Sequence, residues 1–439
     1  MPYKIDEVNG YLGLLHCIVA FAAGWPERGS ITESKAGNAL LKYVLPVVSS
    51  APLETWTIVC TTAGGDGVAV FSVTGSTSGA QASATAGVHY DNGIVTFKIT
   101  GPALYNAQLG DQYQFTFAQG AMAAGSVAWN IDRYVNQYTS TAEVIMHGIG
   151  SGSEEIYIGL KALEDNPLDI HNLVCNGFTG YNSGQIWEEQ PGAIPYYGYG
   201  AAASAYYQPP SIAFADSPIE GRLYLAGNSR RIQGCLFFES YSAPFYLGYF
   251  LPFMTPSSWA YPLMIGGGMG GKDNGANPMR YSDPDYGNSA WFAPLCVDYN
   301  AVEQVYGSGS LKILNPGLSW EGIANYRNLI GADNAAIAIT GGTYPGFTWP
   351  YAQRHFEMVL TNIDGSYLLM PIYIFGPHTD NGGECVGAQC YGVPEGCFAI
   401  TGSNNNQENT FTYNGDLYVV VRSASYTEVD DYMAMRLDT

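Results

Sequence analysis

The chain has 439 residues, which is more than one ordinary hydrophobic core holds and predicts two or three domains. Hydrophobic residues make up 47% of the chain, which excludes wholesale disorder, and charged residues make up only 13%, about half the usual share. The formal net charge is −21 with 17 lysines and arginines, which argues against nucleic-acid binding, because a surface that holds phosphates needs clustered cations.

The first predicted element is a helix over Tyr11–Ala23. Apolar side chains recur in this segment at spacings of three and four residues and form a surface too wide for a helix in water, so we expect it to be buried. Gly24 ends the helix and Pro26 lies beyond it. A signal peptide is the alternative, but the residues before the segment mix Lys4 with acids and do not form a basic region. At about fifteen residues the stretch is too short to span a bilayer.

Shifts in composition divide the chain into three parts. Residues 1–50 are predicted to be helical and then extended, with a second helical candidate at Ser34–Val44. Residues 51–125 are predicted to form a small β-sandwich-like domain, and residues 126–439 a larger β-rich domain with long Gly/Pro/Tyr loops. The predicted fold class is therefore mostly β with an N-terminal helix.

The block from Trp56 to Gly120 carries the clearest strand pattern. Short runs in which apolar and polar residues alternate are separated by turn-forming residues about every ten positions. Asp91-Asn92-Gly93 and Gly110-Asp111 are predicted turns, because glycine and asparagine tolerate positive φ. The strand positions are Val70, Phe71, Val73, Ile94, Val95, Phe97, Ile99, Tyr113, Phe115 and Phe117.

The remainder of the chain mixes short strands with long loops, and loops of that kind are usually functional. The extreme case is Pro195–Tyr207, which has five tyrosines and no charge. Either disorder or ordering by a neighbouring subunit suits such a composition. The strand candidates are Glu155–Leu160, Gly221–Leu225, Gly234–Phe238, Phe356–Leu360, Tyr367–Phe375 and Asp416–Val421.

An ordered series of short segments resembles structural proteins of tailed-bacteriophage virions. No single segment is specific, and the order carries the resemblance. The segments are WTIVC (56–60), FSVTGSTSG (71–79), GVHYDNG (87–93), LGD (109–111), IYIGL (156–160), GFTGY (177–181), YLGY (246–249), YPL (261–263), GCFAITG (396–402), ENTF (408–411) and YVVV (418–421).

The resemblance implies a structural component of the tail or baseplate region that acts through assembly. Its partners would be other virion proteins and copies of itself, with no nucleic acid and no membrane insertion, and it would be located in the virion after assembly in the host cytoplasm. The low charge and the 34 tyrosines suit broad contacts with neighbouring subunits, although tyrosine also fills strands. A receptor- or glycan-binding tail protein, with a host surface glycan as partner, is one alternative. A polysaccharide depolymerase is another.

Cys385, Cys390 and Cys397 with nearby His378 are the strongest metal candidate, because zinc accepts four such ligands. The spacing fits no standard finger, and free thiols or a loop disulfide are the alternatives. Glycines place this cluster in a predicted loop. The five other cysteines are isolated from one another, as buried thiols in a reducing compartment are. No metal ligand and no cofactor is therefore assigned.

Other loops offer weaker signals. Asp273, Asp283 and Asp285 supply oxygen ligands that suit calcium, but without EF-hand spacing a solvated loop is favoured. The stretch GGGMGGK (266–272) lacks the spacing and the final Ser or Thr of a phosphate loop. Arg230-Arg231 lies between two apolar segments and is predicted to form a hairpin turn or an intersubunit ion pair.

No catalytic residue is assigned, and we expect the protein not to be an enzyme. The six histidines are far apart, and neither a nucleophile elbow nor a zinc-protease helix is present. Glu154-Glu155 and Glu188-Glu189 are adjacent in sequence and would point to opposite faces of a strand, so only distant carboxylates keep the depolymerase alternative open. The tryptophans available for stacking on sugars, unless they are buried, are Trp187, Trp259, Trp291, Trp320 and Trp349.

Overall fold

The computed structural model forms two compact units, Met1–Leu15 with Trp129–Thr439, and His16–Ala128. The chain therefore begins in the larger unit, forms the smaller one and returns. The residues that the structure describes are 3–46, 51–101, 105–118, 129–135, 142–165, 170–195, 209–214, 220–238, 242–255, 258–267, 290–293, 295–296, 310–323, 325–326, 347–351, 367–379, 385–423 and 432–437. This part of the chain is mostly β with an N-terminal helix, as predicted.

Strand β1 (Tyr3–Asn9) and helix α1 (Gly10–Ala23) open the chain. The predicted helix and its end are confirmed. Gly24 has a φ of 64°, and the amide of Trp25 donates to the carbonyl of Ala20 at 3.0 Å, which is the bond that closes a glycine-capped helix end. The predicted burial is confirmed too, since Leu15 and five other apolar helix residues are fully buried. Across the described residues, no helix is long and apolar enough to cross a membrane.

The smaller unit is built from two antiparallel sheets. One has the order β4-β10-β9, and the other has β2-β11-β5-β6-β7 with β3 and β8 paired beside it. The strands are β2 (Glu27–Arg28), β3 (Thr32–Ser34), β4 (Leu40–Pro46), β5 (Thr55–Thr62), β6 (Val70–Gly75), β7 (Gly79–Ala80), β8 (Ala84–Thr85), β9 (His89–Asp91), β10 (Val95–Thr100) and β11 (Gln112–Ala118).

Both sheets bury one face in a single core. Phe97 of β10, Phe71 of β6 and Phe115 of β11 all belong to it. The predicted alternation is confirmed, because residues 56, 58 and 60 of β5 and residues 113, 115 and 117 of β11 are buried while their neighbours are half-buried or exposed. The predicted turn at residues 91–93 is also confirmed: Gly93 has a φ of 79° and donates its amide to Asp91 Oδ1 at 2.8 Å.

The prediction of a second helix at Ser34–Val44 is wrong, because Leu40–Pro46 is strand β4. Leu41 and Val44 are both buried although they are three residues apart, a spacing that resembles a helix. The cause is a bulge, in which the residues between Lys42 and Leu45 lie opposite a single residue of β10.

Two buried carboxylates hold loops of the smaller unit in place. Glu54 accepts hydrogen bonds from the amides of Thr77 and Ser78 at 2.6 and 2.9 Å and from the Ser78 hydroxyl at 2.6 Å. Asp111 accepts from three amides, those of residues 36, 37 and 108, at 2.7, 3.1 and 2.8 Å. Burial by itself raises the pKa of each carboxyl, but the hydrogen bonds outweigh it and leave both pKa values below their ordinary range.

The larger unit contains the remaining strands and a short 3-10 helix, Trp187–Glu189. The strands are β12 (Asn130–Val135), β13 (Glu143–Ile149), β14 (Glu155–Asp165), β15 (Ile170–Phe178), β16 (Ser211–Phe214), β17 (Glu220–Gly227), β18 (Arg231–Phe237), β19 (Ser242–Tyr249), β20 (Leu251–Pro252), β21 (Leu263–Gly266), β22 (Leu295–Cys296), β23 (Leu311–Leu314), β24 (Trp320–Gly322), β25 (Asn325–Tyr326), β26 (Phe347–Trp349), β27 (Met370–Pro371), β28 (Tyr373–Thr379), β29 (Cys385–Val393), β30 (Cys397–Ile400), β31 (Thr410–Tyr413), β32 (Asp416–Arg422) and β33 (Tyr432–Leu437).

Within the part of this unit that the structure describes, the strands form four sheets and a short parallel pair, β22 and β25. The orders are β1-β17-β18-β19-β21-β23-β24, β12-β13-β14-β15-β16, β20-β29-β28-β26 and β27-β30-β33-β32-β31. The first, third and fourth sheets share one core, to which Met264, Ile374 and Val419 belong and which Trp259 and Trp291 fill. The register of β1 against β17 places Tyr3 opposite Ala226, so the N-terminal strand becomes an edge of the seven-stranded sheet of this unit.

The structure confirms some of the predicted strands of this unit and one only in part. Those that fall on β14, β17, β18 and β32 are confirmed. Tyr367–Phe375 is only partly extended, since β27 and β28 each cover part of it. Phe356–Leu360 lies outside the described residues. Arg230-Arg231 lies at the turn between β17 and β18, so the predicted hairpin is confirmed.

Candidate functional site

An exposed apolar patch lies at one side of the four-stranded sheet. Its members are Leu251, Phe253 and Met254, which are 41%, 58% and 41% exposed, together with half-buried Trp349 and Tyr373. The ring of Phe253 lies 6.2 Å from that of Tyr373, which in turn lies 5.9 Å from that of Trp349. We call this set the Phe253 patch. Contiguous apolar exposure of this kind marks an interaction surface.

Backbone pairing builds the Phe253 patch. Leu251 and Pro252 form the two-residue edge strand β20 against β29, and the amide of Phe253 donates to the carbonyl of Tyr391 at 2.8 Å. Gly392 lets these strands approach, because a Cβ there would lie 2.1 Å from the Leu251 carbonyl oxygen. The proline removes one edge donor, so side chains more than backbone would contact a partner here. The apolar run LPFM after β19 is the sequence signal for this patch, and sequence analysis missed it.

A polar cluster lies on β12, β13 and β14. His147 Nδ1 is 2.7 Å from Asp132 Oδ2, and its Nε2 is 3.1 Å from Asn130 Nδ2 and 3.9 Å from Glu155 Oε1. Tyr157 donates to Glu155 at 2.8 Å, and the burial and the adjacent carboxylate raise its pKa. Both imidazole nitrogens of His147 are thus engaged by polar groups, and the Tyr157 ring packs against the imidazole with centroids 5.3 Å apart while its hydroxyl is held by Glu155.

A second charged network crosses the same sheet. The buried carboxylate of Glu143 lies 2.6 Å from Arg133 Nε and 3.4 Å from Lys161 Nζ. Lys161 is also 2.5 Å from Glu188 and lies over the Trp187 ring. Two cations and two carboxylates alternate here, which fixes the 3-10 helix on the sheet and leaves each carboxylate with a cation. Glu188 and Glu189 lie on that 3-10 helix and not on a strand, so the expectation that they point to opposite faces of a strand does not apply to them.

A third network is buried in the larger unit. Arg231 is fully buried, and its Nε lies 3.2 Å from Glu395, which also contacts Arg436 at 3.6 Å. Gln233 donates to the carbonyl of Arg436 at 3.0 Å and accepts from Cys397 at 3.0 Å. The network joins the β17–β18 turn to the β29–β30 turn and β33. Because its ion pairs and hydrogen bonds join separate strands and turns of the larger unit, this network has a structural role.

The cysteine cluster differs from its prediction. Cys385 and Cys390 lie on strand β29 and Cys397 begins β30, so the predicted loop is wrong. Pairing with β28 outweighs the glycines, and two register shifts accommodate them. The side chains of His378 and Cys385 lie outside the described part of the chain. Cys390 and Cys397 are not joined in a disulfide, and in the described ranges no group of metal-ligating residues is present.

Other predicted sites are buried or lie elsewhere. Trp187, Trp259 and Trp291 are buried, so they cannot stack on a sugar, whereas Trp320 and Trp349 are half-buried. Burial raises the pKa of the thiols at positions 60, 175, 235 and 390, which disfavours the nucleophilic thiolate. Residues 273, 283 and 285, and residues 196–207 of the tyrosine-rich segment, lie outside the described residues.

No protein-family model and no curated protein matches this chain. The candidate function therefore depends on the surface chemistry and on the resemblance carried by the short segments.

Proposed function

We propose that this chain is a structural component of a tailed-phage particle, in its tail or baseplate region, and that it acts through contacts between subunits. The observation that carries the proposal is the Phe253 patch, a group of three exposed and two half-buried apolar and aromatic side chains on a chain with few charges. The ordered series of virion-like segments supports the same role. The partners are copies of the chain and neighbouring virion proteins, and the location is the virion.

The patch has the composition of an interface centre. Aromatic residues and methionine are enriched at such centres, and charged residues are depleted. Burying the exposed part of Phe253 contributes on the order of 1 kcal/mol, because full burial of such a side chain contributes about 1.5–3 kcal/mol. Removing the ring therefore weakens association by about tenfold.

Sedimentation equilibrium of the purified chain tests the proposal. We expect a closed oligomer, and we expect Phe253→Ala to shift its dissociation to about tenfold higher concentration. Ile186→Ala is the matched control, because Ile186 is 54% exposed, close to the 58% of Phe253, but lies outside the Phe253 patch. Mass spectrometry of purified phage particles that carry the gene should detect the chain. A chain that stays monomeric and is absent from mature particles would overturn the proposal.

A further inference from the structure

The five-stranded sheet β27-β30-β33-β32-β31 has two chemically different faces. Val419 and Met433 point into the main core of the larger unit. Their neighbours along the strands, Tyr418 and Tyr432, point to the other face, since successive strand residues alternate. The half-buried residues of that second face are Tyr367, Leu369, Phe398, Phe411 and Tyr413.

The rings of this second face form a connected layer. Phe411 is stacked on Tyr418 with centroids 5.4 Å apart and an angle of 14°, and Phe398 meets Tyr418 edge-on at 5.9 Å. Tyr367 lies 5.9 Å from Phe411. Tyr418 is buried while Phe411 is half-buried, so part of the Phe411 ring is presented to solvent above a fixed ring. A rigid aromatic platform results, with little entropy left to lose on binding.

The loop 401–409 borders this platform and is rich in amides. Its sequence is TGSNNNQEN, and the Tyr367 hydroxyl donates to the Asn404 carbonyl at 3.2 Å, which joins the loop to the rings. Asn405 anchors the loop from within, because its Nδ2 donates to the carbonyl of Thr401 at 2.8 Å. Asn404, Asn406 and Asn409 are exposed, and within the described contacts their carboxamides make no hydrogen bond.

The loop 401–409 contributes no unpaired charge to this surface. Glu408 is its single charged residue, and its carboxylate is 2.8 Å from Arg222 and accepts from the Tyr224 hydroxyl at 3.2 Å. The exposed polar groups of the loop beside the aromatic rings therefore include carboxamides, and a carboxamide both donates and accepts hydrogen bonds. Asp416 and Arg436 lie on the same face beside Tyr418 and pair with each other at 3.8 Å. Because these charges are paired within the chain, the surface favours a neutral ligand over a charged one.

We propose that this aromatic–amide surface, made of Tyr367, Phe411, Tyr413 and the loop 401–409, binds a neutral oligosaccharide. A pyranose ring has an apolar C–H face that packs on aromatic rings, and hydroxyls that pair with carboxamides. An anionic ligand would find no cation in the loop, and a largely apolar ligand would leave the amides unpaired. The inference goes beyond the assembly role and does not depend on it.

Binding of the full chain to an array of neutral and anionic oligosaccharides, followed by calorimetry with the best-bound neutral glycan, tests the proposal. Phe411→Ala should weaken binding by about tenfold and Asn404→Gly by about fivefold. Asn404 has a φ of 59°, so glycine keeps its backbone while removing the carboxamide. Asn414→Gly is the matched control, because Asn414 has a φ of 53° but lies in the β31–β32 turn and should leave affinity unchanged.

Circular dichroism melting checks that each variant is folded, and Asn404→Gly keeps the test valid if Phe411→Ala unfolds the sheet. Phe253→Ala should retain glycan binding while it loses oligomerisation, so the two proposals fail separately. Neutral glycan binding that Asn404→Gly weakens and Asn414→Gly spares supports the inference. Absence of neutral glycan binding, a preference for anionic glycans, or equal effects of the two Asn→Gly changes would overturn it.

Discussion

The ion pair between Arg231 and Glu395 should stabilise the larger unit, and its two side chains differ in burial. The Arg231 side chain is completely buried, whereas that of Glu395 is 21% exposed, and the pair is 3.2 Å apart. Removing one partner of a buried pair costs about 3–5 kcal/mol because the other charge stays in a low-dielectric interior. Partial exposure of Glu395 lowers that figure, so we expect Glu395→Gln to reduce the free energy of unfolding by about 2–3 kcal/mol.

The change at the other partner, Arg231→Met, should reduce the free energy of unfolding by less. Arg231→Met removes the buried charge together with its desolvation penalty and fills similar volume, while Glu395 retains Arg436 at 3.6 Å. We expect a loss within about 1 kcal/mol for this variant. Urea unfolding followed by tryptophan fluorescence measures both values. Arg222→Met is the control, because the Arg222–Glu408 pair is at the surface and its loss should not measurably change stability. A larger loss for Arg231→Met than for Glu395→Gln would refute the reasoning.

Three further perturbations have defined outcomes. The pKa values of Glu54 and Asp111 are lowered in the folded protein, so these carboxylates stabilise the smaller unit above the unfolded-state pKa values of about 4, and that stabilisation is lost as pH falls through the folded-state values. The double variant Glu54→Gln with Asp111→Asn should therefore lose less stability below about pH 4, which acid titration of the circular dichroism signal measures. Burial lowers the pKa of Lys312 to about 7, so the free energy of unfolding of the wild type should rise as pH rises from about 7 towards the unfolded-state pKa of about 10.4. Lys312→Met should remove that rise, which urea unfolding at several pH values measures. An unchanged dependence of stability on pH in this variant would contradict the lowered pKa of Lys312. Leu15→Asp buries an unpaired charge in α1 and should cost several kcal/mol in thermal unfolding, whereas Ala23→Asp at the half-buried helix end should cost much less.

Local chemistry determined the parts of the fold that the sequence predicts. Helix α1 ends at Gly24 because a residue without Cβ adopts positive φ there, and Gly93 closes a turn for the same reason. The alternation of Phe71 and Val73, or of Phe115 and Phe117, places one face of each strand in the core. Each of these preferences acts within a few residues, so it can be read along the chain without knowledge of the fold.

Long-range pairing decided the rest. Leu41 and Val44 show a helical spacing, but a bulge against β10 makes both point inward from a strand. Only the pairing of β1 with β17, more than 200 positions away, places the N-terminal strand in the larger unit. The platform under Phe411 exists because β31 and β32 are in a register that puts this ring opposite Tyr418. Register depends on which strands meet, and that depends on total burial over the whole unit, which no local stretch of sequence specifies.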